Sequence, residues 1–352
     1  MQINKIKILF FLFGGVGGAE RMTINIGKML PSEQFEVKFV VCGRMTQILQ
    51  FIPTSYEVIR IPWHNIHVFS RFRMSCVILK EKPDFVFAST MSLNVRLIQC
   101  AKWCGVKSIV HNDSMLRYIT SRKFLFQLSK RYQSAYHVIA QQEEMQQELI
   151  KLVGTNDRHI VCLHNPIDIN TINQKITEEN PYPQDNTIKY LFVGNFSIHK
   201  AHDVLIEAFR IVHSHNLNTH LYLVGKIGSQ HSNYQKIVKM VQGCGLQEYV
   251  HFVGEQINPY KWILHCDCFV LPSRLEGLPN VLLEAMYLKR PVVASVCIPV
   301  IDRMVEEGYN GYKVKPDQPE AMAEAMEKAL KLRDFKMTFP TAKVTDFISL
   351  FE

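Results

Sequence analysis

Ser273-Arg274-Leu275-Glu276-Gly277-Leu278-Pro279-Asn280-Val281-Leu282-Leu283-Glu284-Ala285-Met286 sets two glutamates eight residues apart where a buried strand meets an apolar helix. The run before it, Cys268-Phe269-Val270-Leu271-Pro272, has the short apolar texture of a strand, which puts a turn at 277–280 and a helix from Val281 onward. Glu276 then stands at the strand's carboxyl end. Eight residues make about two helical turns, so Glu284 falls on the same side as the turn, one ligand length deeper. Amides at the helix start lie between the two acids and suit a diphosphate, leaving one carboxylate for sugar hydroxyls and the other for ribose hydroxyls. The competing reading is a solvated acidic helix. It fits poorly with Val281, Leu282, Leu283 and Met286 around Glu284, because a carboxylate among apolar side chains needs a partner.

Working outward, strands expected over 189–193, 220–224, 251–253, 268–271 and 291–295 alternate with helices over 201–215, 232–243, 258–265, 280–289 and 318–332. An earlier series opens with a strand over 6–13, a glycine turn over 14–18, a helix over 19–30 and a strand over 35–42. Further strands fit 85–88, 108–111 and 135–140. Between the series, residues 165–187 are polar and proline-bearing, as a linker would be. The expected division is a first domain over 1–168, a linker over 169–187, a second domain over 188–334 and a tail over 335–352. The fold class is α/β, two Rossmann-like, doubly wound parallel sheets facing a cleft, with ligands outside the strands' carboxyl ends.

A chain of 352 residues, 47% apolar and 20% charged, suits two such soluble domains. The apolar run after Met1-Gln2-Ile3-Asn4-Lys5-Ile6-Lys7 is short and enters a glycine turn without a cleavage-like site. It reads as a first buried strand and not as a signal peptide. No stretch approaches the roughly eighteen apolar residues of a membrane span. Nine scattered cysteines read as reduced core thiols of a cytosolic chain, and the Cys266/Cys268 and Cys100/Cys104 spacings do not suit zinc. Residues 1–180 hold 22 Lys and Arg against 14 Asp and Glu, a net +8, and the remainder balances at 18 against 18. The asymmetry points to an anionic surface met by the first domain.

A second segment, Val193-Gly194-Asn195-Phe196-Ser197-Ile198-His199-Lys200-Ala201-His202, puts Lys200 in a turn between a strand and an amphipathic helix, where it can neutralise a diphosphate leaving group. A lone lysine would more often be solvated surface, but the glutamate pair shifts that balance. With both segments in view, the chain resembles the retaining glycosyltransferases of family 4, which have the GT-B fold. The likeness takes in Glu-x7-Glu and Lys200. It also takes in Gly17-Gly18-Ala19-Glu20-Arg21 after the first strand, Ala140-Gln141-Gln142-Glu143-Glu144-Met145, His164-Asn165-Pro166-Ile167-Asp168 and Asn310-Gly311-Tyr312-Lys313-Val314. The glycine turn alone is a weak signal, since Glu20 stands where a dinucleotide fold has a third Gly or Ala.

The resemblance implies that Glu276 binds donor-sugar hydroxyls, Glu284 the ribose and Lys200 the diphosphate, with backbone at Gly277, Leu278 and Asn280 cradling sugar and phosphate. Gly17 and Gly18 would lie near donor phosphate and acceptor, His111 near the reacting sugar, and Val253 in the base pocket. It implies a hexose-type transfer from a nucleotide-diphosphate sugar, a UDP-sugar for preference, with retention and with no metal or other cofactor. A tail over 335–352 would pack back on the first domain. Two departures stand out: Asn195 occupies the place of an arginine five residues before the lysine, and Val296-Cys297-Ile298-Pro299-Val300 lacks the family's acidic and glycine residues.

On the acceptor side, residues 117–132 interleave five basic residues with aromatic and aliphatic ones, and His67-Val68-Phe69-Ser70-Arg71-Phe72-Arg73-Met74 adds a second such patch. An interfacial helix at an anionic membrane face, bringing a saccharide or lipid-linked saccharide acceptor within reach, and an ordinary helix with a solvated basic face both fit. The first would place the protein in the cytoplasm, peripheral on the inner face of the cell membrane, in surface polysaccharide or lipopolysaccharide assembly. No nucleic-acid module is present, so nucleic acid is not an expected partner. A nucleotide-sugar epimerase of the same architecture, and a donor-binding scaffold without activity, remain the alternatives.

Overall fold

The computed structural model describes residues 5–44, 46–61, 67–154, 159–226 and 231–352, the side chains of residues 67, 68 and 231 excepted. The chain divides into two compact units, Met1–Asp168 with Pro340–Glu352, and Ile169–Phe339.

The first unit is built on β1 (Ile6–Phe13), whose apolar residues feed two cores in alternation. Ile8, Phe10 and Leu12 enter one, and Leu9 and Phe11 the other. A strand covered on both faces has no polar side to show, which is why it reads as one continuous apolar run. It is followed by α1 (Gly18–Met29), β2 (Phe35–Cys42), β3 (Glu57–Ile61), α2 (His67–Glu81), β4 (Phe85–Ala88), α3 (Met91–Cys104), β5 (Lys107–His111), α4 (Arg122–Tyr132), β6 (His137–Ala140), α5 (Glu143–Val153) and β7 (Ile160–Cys162). All seven strands are parallel, in the order β3-β2-β1-β4-β5-β6-β7. The order reverses direction between β1 and β4. β3 and β7 were not expected: the first is a five-residue strand at the sheet's edge, the second has three residues.

The second unit starts inside the stretch whose composition suggests a linker. Helix α6 (Ile169–Lys175) opens it, and Lys175 accepts through its carbonyl from Asn258 Nδ2 at 2.8 Å. Tyr182 is buried, edge-on to Tyr222 and Trp262, and its hydroxyl donates to the Trp262 carbonyl. Residues 169–187 are thus built into this unit. Its strands are β8 (Ile188–Val193), β9 (Thr219–Val224), β10 (Val250–Gly254), β11 (Cys268–Leu271), β12 (Val292–Ser295) and β13 (Gly311–Val314). Its other helices are α7 (His202–His215), α8 (His231–Gly243), α9 (Tyr260–His265), α10 (Asn280–Tyr287), α11 (Pro299–Met304) and α12 (Pro319–Ala329). β13 and α11 were not expected. The parallel order β10-β9-β8-β11-β12-β13 reverses between β8 and β11.

After Phe339 the chain rejoins the first unit. There α13 (Val344–Ile348) leads into Phe351, which packs edge-on against Phe85 and Phe35.

Candidate active site

In an open parallel sheet the crevice lies where strand order reverses, because loops from the two central strands depart to opposite faces there. In the second unit those loops follow β8 and β11, and they carry Lys200 and Glu276. Lys200 Nζ donates to Glu276 Oε1 at 2.6 Å, and Ser273 Oγ donates to the same oxygen at 2.6 Å. The lysine side chain is 21% exposed and the glutamate 9%, so the pair is largely withdrawn from water with one edge open. Ser273 is itself fully buried, and the Ser295 hydroxyl donates to its carbonyl, which ties the glutamate's loop to the end of β12.

Arg274 holds the two loops together. Its guanidinium grips Asp203 with Nη1 and Nη2 at 2.9 and 3.0 Å, its Nε meets Asp317 at 2.6 Å, and its amide donates to the His199 carbonyl. Burial works against an ionised Asp203, but the guanidinium prevails and holds that carboxyl below its usual range. This staple was not singled out from the sequence. Lys200 ends a 3-10 turn, Ile198–Lys200, and Ala201 turns the chain into α7 with φ 49°. His202 follows, buried and stacked on Phe196 at 4.3 Å. Burial, reinforced by the charge of Lys200, pushes its pKa down to about 3, so its ring is neutral. Behind them, Gly225 closes on Gly194: a Cβ at 225 would lie 1.7 Å from the Gly194 carbonyl oxygen, so only glycine fits.

The other donor residues expected in this unit follow the carboxyl ends of its strands or end one of them. α10 begins at Asn280, with Gly277, Leu278 and Pro279 forming the approach to it. Leu278 is buried. Glu284, expected among apolar neighbours, is only partly buried although Leu282, Leu283, Ala285 and Met286 around it are fully so. Asn195 is exposed beside Lys200's turn, and Val253 is half-buried near the end of β10, an edge strand. Cys297 lies close enough to Glu276 to feel its charge. Burial first, and that charge second, push its thiol up to about 12. A thiol so far from ionising is not a nucleophile.

The first unit has its own reversal, between β1 and β4. Gly17 caps α1 in an extended conformation, and Gly18 presents bare backbone, since a Cβ there would meet nothing within 4 Å. Glu20 folds back over this turn: its Oε2 comes within 2.4 Å of where a Gly17 Cβ would sit, and its Oε1 accepts from Thr90 Oγ1 at 3.1 Å. His111 ends β5 and is fully enclosed. Burial, partly offset by Asn165, pushes its ring down to about 4. Two residues on, Asp113 has a buried Oδ1 with no hydrogen-bond partner. Burial, with the negative charge of Glu20 added, pushes Asp113 up to about 7 against the opposing amides of Met91 and of Asp113 itself. The sequence reading noted Glu20 only as a departure from the dinucleotide glycine pattern and did not single out Asp113.

Sequence comparison agrees with this layout. The family described as "Glycosyltransferase Family 4" matches residues 16–171, and "Glycosyl transferases group 1" matches residues 173–342. The chain is a family 4 glycosyltransferase of the GT-B fold. An uncharacterized glycosyltransferase of Methanocaldococcus jannaschii is 24% identical over 242 residues, 64% of this chain and 59% of that protein's length. A Campylobacter jejuni relative, named N-acetylgalactosamine-N,N'-diacetylbacillosaminyl-diphospho-undecaprenol 4-alpha-N-acetylgalactosaminyltransferase, is 22% identical over 83% of this chain and 81% of its own. HepE of Anabaena, solved in complex with UDP-glucose, superposes with a TM-score of 0.80 over 93% of this chain and 90% of its own, at 19% identity.

For this glycosyltransferase the nine cysteines are free thiols, and Cys42, Cys100, Cys266 and Cys268 are buried. Among the described residues no cluster of three or more His, Cys, Asp or Glu is arranged to hold a metal ion.

Proposed function

We propose that the protein transfers a hexose-type sugar from a nucleotide-diphosphate sugar, preferentially a UDP-sugar, to a saccharide or lipid-linked saccharide acceptor, with retained configuration and without a metal ion. The observation that carries this is the Lys200–Glu276 pair at the second unit's strand reversal. Lys200 is released from Glu276 to the incoming diphosphate, and Glu276 turns to the donor-sugar hydroxyls. Amides of the Gly277–Asn280 turn at the start of α10 share the diphosphate's charge, and Glu284 takes the ribose. The sugar C1–phosphate oxygen bond breaks with its electrons going to the nucleoside diphosphate. The acceptor oxygen bonds to C1 from the same face, and its proton goes to the departing phosphate. Lys200 and the helix amides supply the positive charge that a divalent ion gives elsewhere.

The relatives' names and the charge division favour surface polysaccharide assembly at a membrane. Among the described residues no helix is long and apolar enough to cross one. In α4 the apolar residues turn inward: Leu128 and Tyr132 are buried, and only Phe126, 61% exposed under Lys130, breaks an exposed basic face. The outer stripe of α2 is the more apolar surface, with Phe69, Phe72 and Leu79 more than half exposed. We therefore assign peripheral contact with an anionic leaflet to α2 together with 117–132.

The test is a panel of UDP-, GDP- and ADP-sugars with a lipid-extract acceptor and EDTA, following nucleoside diphosphate and any interconverted sugar. Acceptor-dependent release that survives EDTA is the expected outcome. Interconversion without acceptor would instead show the epimerase, and donor binding without either reaction the scaffold.

A further inference from the structure

While the Lys200–Glu276 pair is closed, it ties the loop after β8 to the loop after β11. In the proposed reaction the pair opens, and that tie is lost when the aim of both side chains matters most. Glu276 keeps an anchor of its own, because Ser273 Oγ donates to it and Ser295 holds the Ser273 carbonyl. The loop carrying Lys200 needs another.

Arg274 is placed to supply it. Its amide donates to the His199 carbonyl at 2.8 Å, joining the two loops backbone to backbone beside Lys200. Its guanidinium uses every nitrogen on the protein itself. Nη1 reaches the Ile198 carbonyl at 3.2 Å and Asp203 Oδ1 at 2.9 Å, Nη2 reaches Asp203 Oδ2 at 3.0 Å, and Nε reaches Asp317 Oδ1 at 2.6 Å. A planar fork gripped this way fixes direction as well as distance. Asp203 stands in the first turn of α7, and Asp317 in the turn between β13 and α12, at φ 59°. One side chain thus joins the segments that follow β8, β11 and β13. None of these contacts uses the side chain of Lys200 or Glu276, so all of them outlast the opening of that pair.

Two simpler roles fit Arg274 less well. The side chains are 28% exposed at Arg274, 30% at Asp203 and 56% at Asp317, and ion pairs this open add little to the stability of a fold. The unit's stability rests instead on the apolar core around β8, β9 and α7. A direct role in binding the diphosphate is also disfavoured, since two carboxylates on one guanidinium leave no spare positive charge.

We propose that Arg274 is a positioning residue that, through Asp203, Asp317 and the Ile198 and His199 carbonyls, keeps Lys200 aimed at the donor's diphosphate once Lys200 has left Glu276. The inference rests on the transferase reading above. Its leverage is large, because a misplacement of about 1 Å can cost about 10²-fold in rate.

The experiment uses the full-length protein with the best donor of the panel and the lipid-extract acceptor. It compares wild type with Arg274→Ala, Arg274→Lys, Asp203→Asn, Lys200→Ala and the double variant Arg274→Ala/Lys200→Ala. Arg274→Ala should lower kcat roughly 10- to 100-fold, with calorimetric UDP affinity within about threefold of wild type. Arg274→Lys keeps the charge but not the fork, so it should fall close to Arg274→Ala. Asp203→Asn loosens the same grip from the other side and should lose roughly 5- to 20-fold. With Lys200 gone there is nothing left for Arg274 to aim, so the double variant should turn over within about threefold of Lys200→Ala alone.

Turnover of Arg274→Ala within about threefold of wild type overturns the proposal. A double variant whose losses multiply overturns it as well, because the role of Arg274 would then be unconnected with Lys200. Recovery of turnover in Arg274→Lys also overturns it, by showing that the charge acts and not the fork. All three leave the transferase standing. Wild-type protein that binds UDP yet releases no nucleoside diphosphate from any donor overturns the transferase reading and this inference with it. Arg274→Ala should melt within about 4 °C of wild type, and should it fail to fold, Asp203→Asn carries the same comparison with Lys200→Ala.

Discussion

The two units repeat one architecture and fill its crevice with opposite charge logic. Where strand order reverses in the second unit, a cation and an anion neutralise each other across 2.6 Å. Where it reverses in the first, Glu20 accepts from Thr90 and Asp113 from the amide of Met91, and neither acid is in an ion pair with a Lys or Arg among the described residues. In the proposed function the pair of opposite charges opens to a ligand that itself carries anion and hydroxyls, as a nucleotide-diphosphate sugar does. A pair of acids instead raises the cost of charge on each of its members. The same scaffold thus carries different charge at its two reversals through the side chains that stand at the carboxyl ends of its central strands.

The largest effect should come from breaking the second unit's pair. Lys200→Ala removes the charge offered to the leaving diphosphate and should lower kcat by roughly 10²- to 10³-fold, as the loss of one preorganised electrostatic group does. Glu276→Gln keeps the shape and the Ser273 contact, so its main loss should appear with the sugar donor and not in the affinity for UDP alone. Steady-state kinetics beside calorimetric UDP titration checks both. Equal loss of UDP affinity in the two variants would mean that the pair acts as a structural clasp, and the contrast between the units would collapse.

How much of this was legible beforehand follows sequence distance. Lys200 and Glu276 each sit in a local strand-turn-helix segment whose apolar pattern announces itself, and β1 reads as a strand because both its faces are covered. Asp113 carries no such mark. It is one acid after a strand, and its significance comes from Met91 and Glu20, brought to it by the order β1-β4-β5. Arg274 was in plain view, but its partners Asp203 and Asp317 lie 71 and 43 residues away. β3 was hidden because its five residues, with Glu57 and Arg60 three apart, show neither a period-2 alternation nor a continuous apolar run, and α6 by the polar composition of its single stretch, INTINQK. His111 was legible as a strand-end histidine, yet its enclosure was not, because burial of one side chain depends on everything packed around it.

The first unit's half of the comparison is sharpened by stability. The pKa of Asp113 is raised in the folded state, to about 7, so the fold binds this proton more tightly than the unfolded chain does. Its contribution is fully present below the unfolded pKa of about 4 and is lost as pH rises through about 7. Asp113→Asn carries no such penalty. Relative to wild type, the variant should gain stability progressively between pH 4 and 7 and keep a constant advantage above, of up to about 4 kcal/mol. Denaturant unfolding at pH 5 and pH 8 measures this. An advantage that is equal at both pH values would show that Asp113 is ionised throughout and solvated, contrary to its buried Oδ1.

The smallest expected effect concerns how each unit turns from strand into helix. The first does so at Gly17 with ordinary extended φ, but the second uses Ala201 at φ 49°, a left-handed conformation that costs a residue with a Cβ about 1 to 2 kcal/mol. Ala201→Gly relieves that strain. Against it stand the loss of a buried methyl, about 0.8 kcal/mol, and the larger backbone entropy of glycine in the unfolded chain, about 0.4 to 1 kcal/mol. The terms nearly cancel, so stability should stay within about 0.5 kcal/mol of wild type and the melting temperature within about 2 °C. Turnover should be unchanged, because Lys200 is held by Glu276 and by its own amide on the Ser197 carbonyl and does not depend on the Ala201 side chain. A large fall in kcat with unchanged stability would show instead that the stiffness of Ala201 positions Lys200, and the second unit's crevice would then rest on backbone strain as well as on charge.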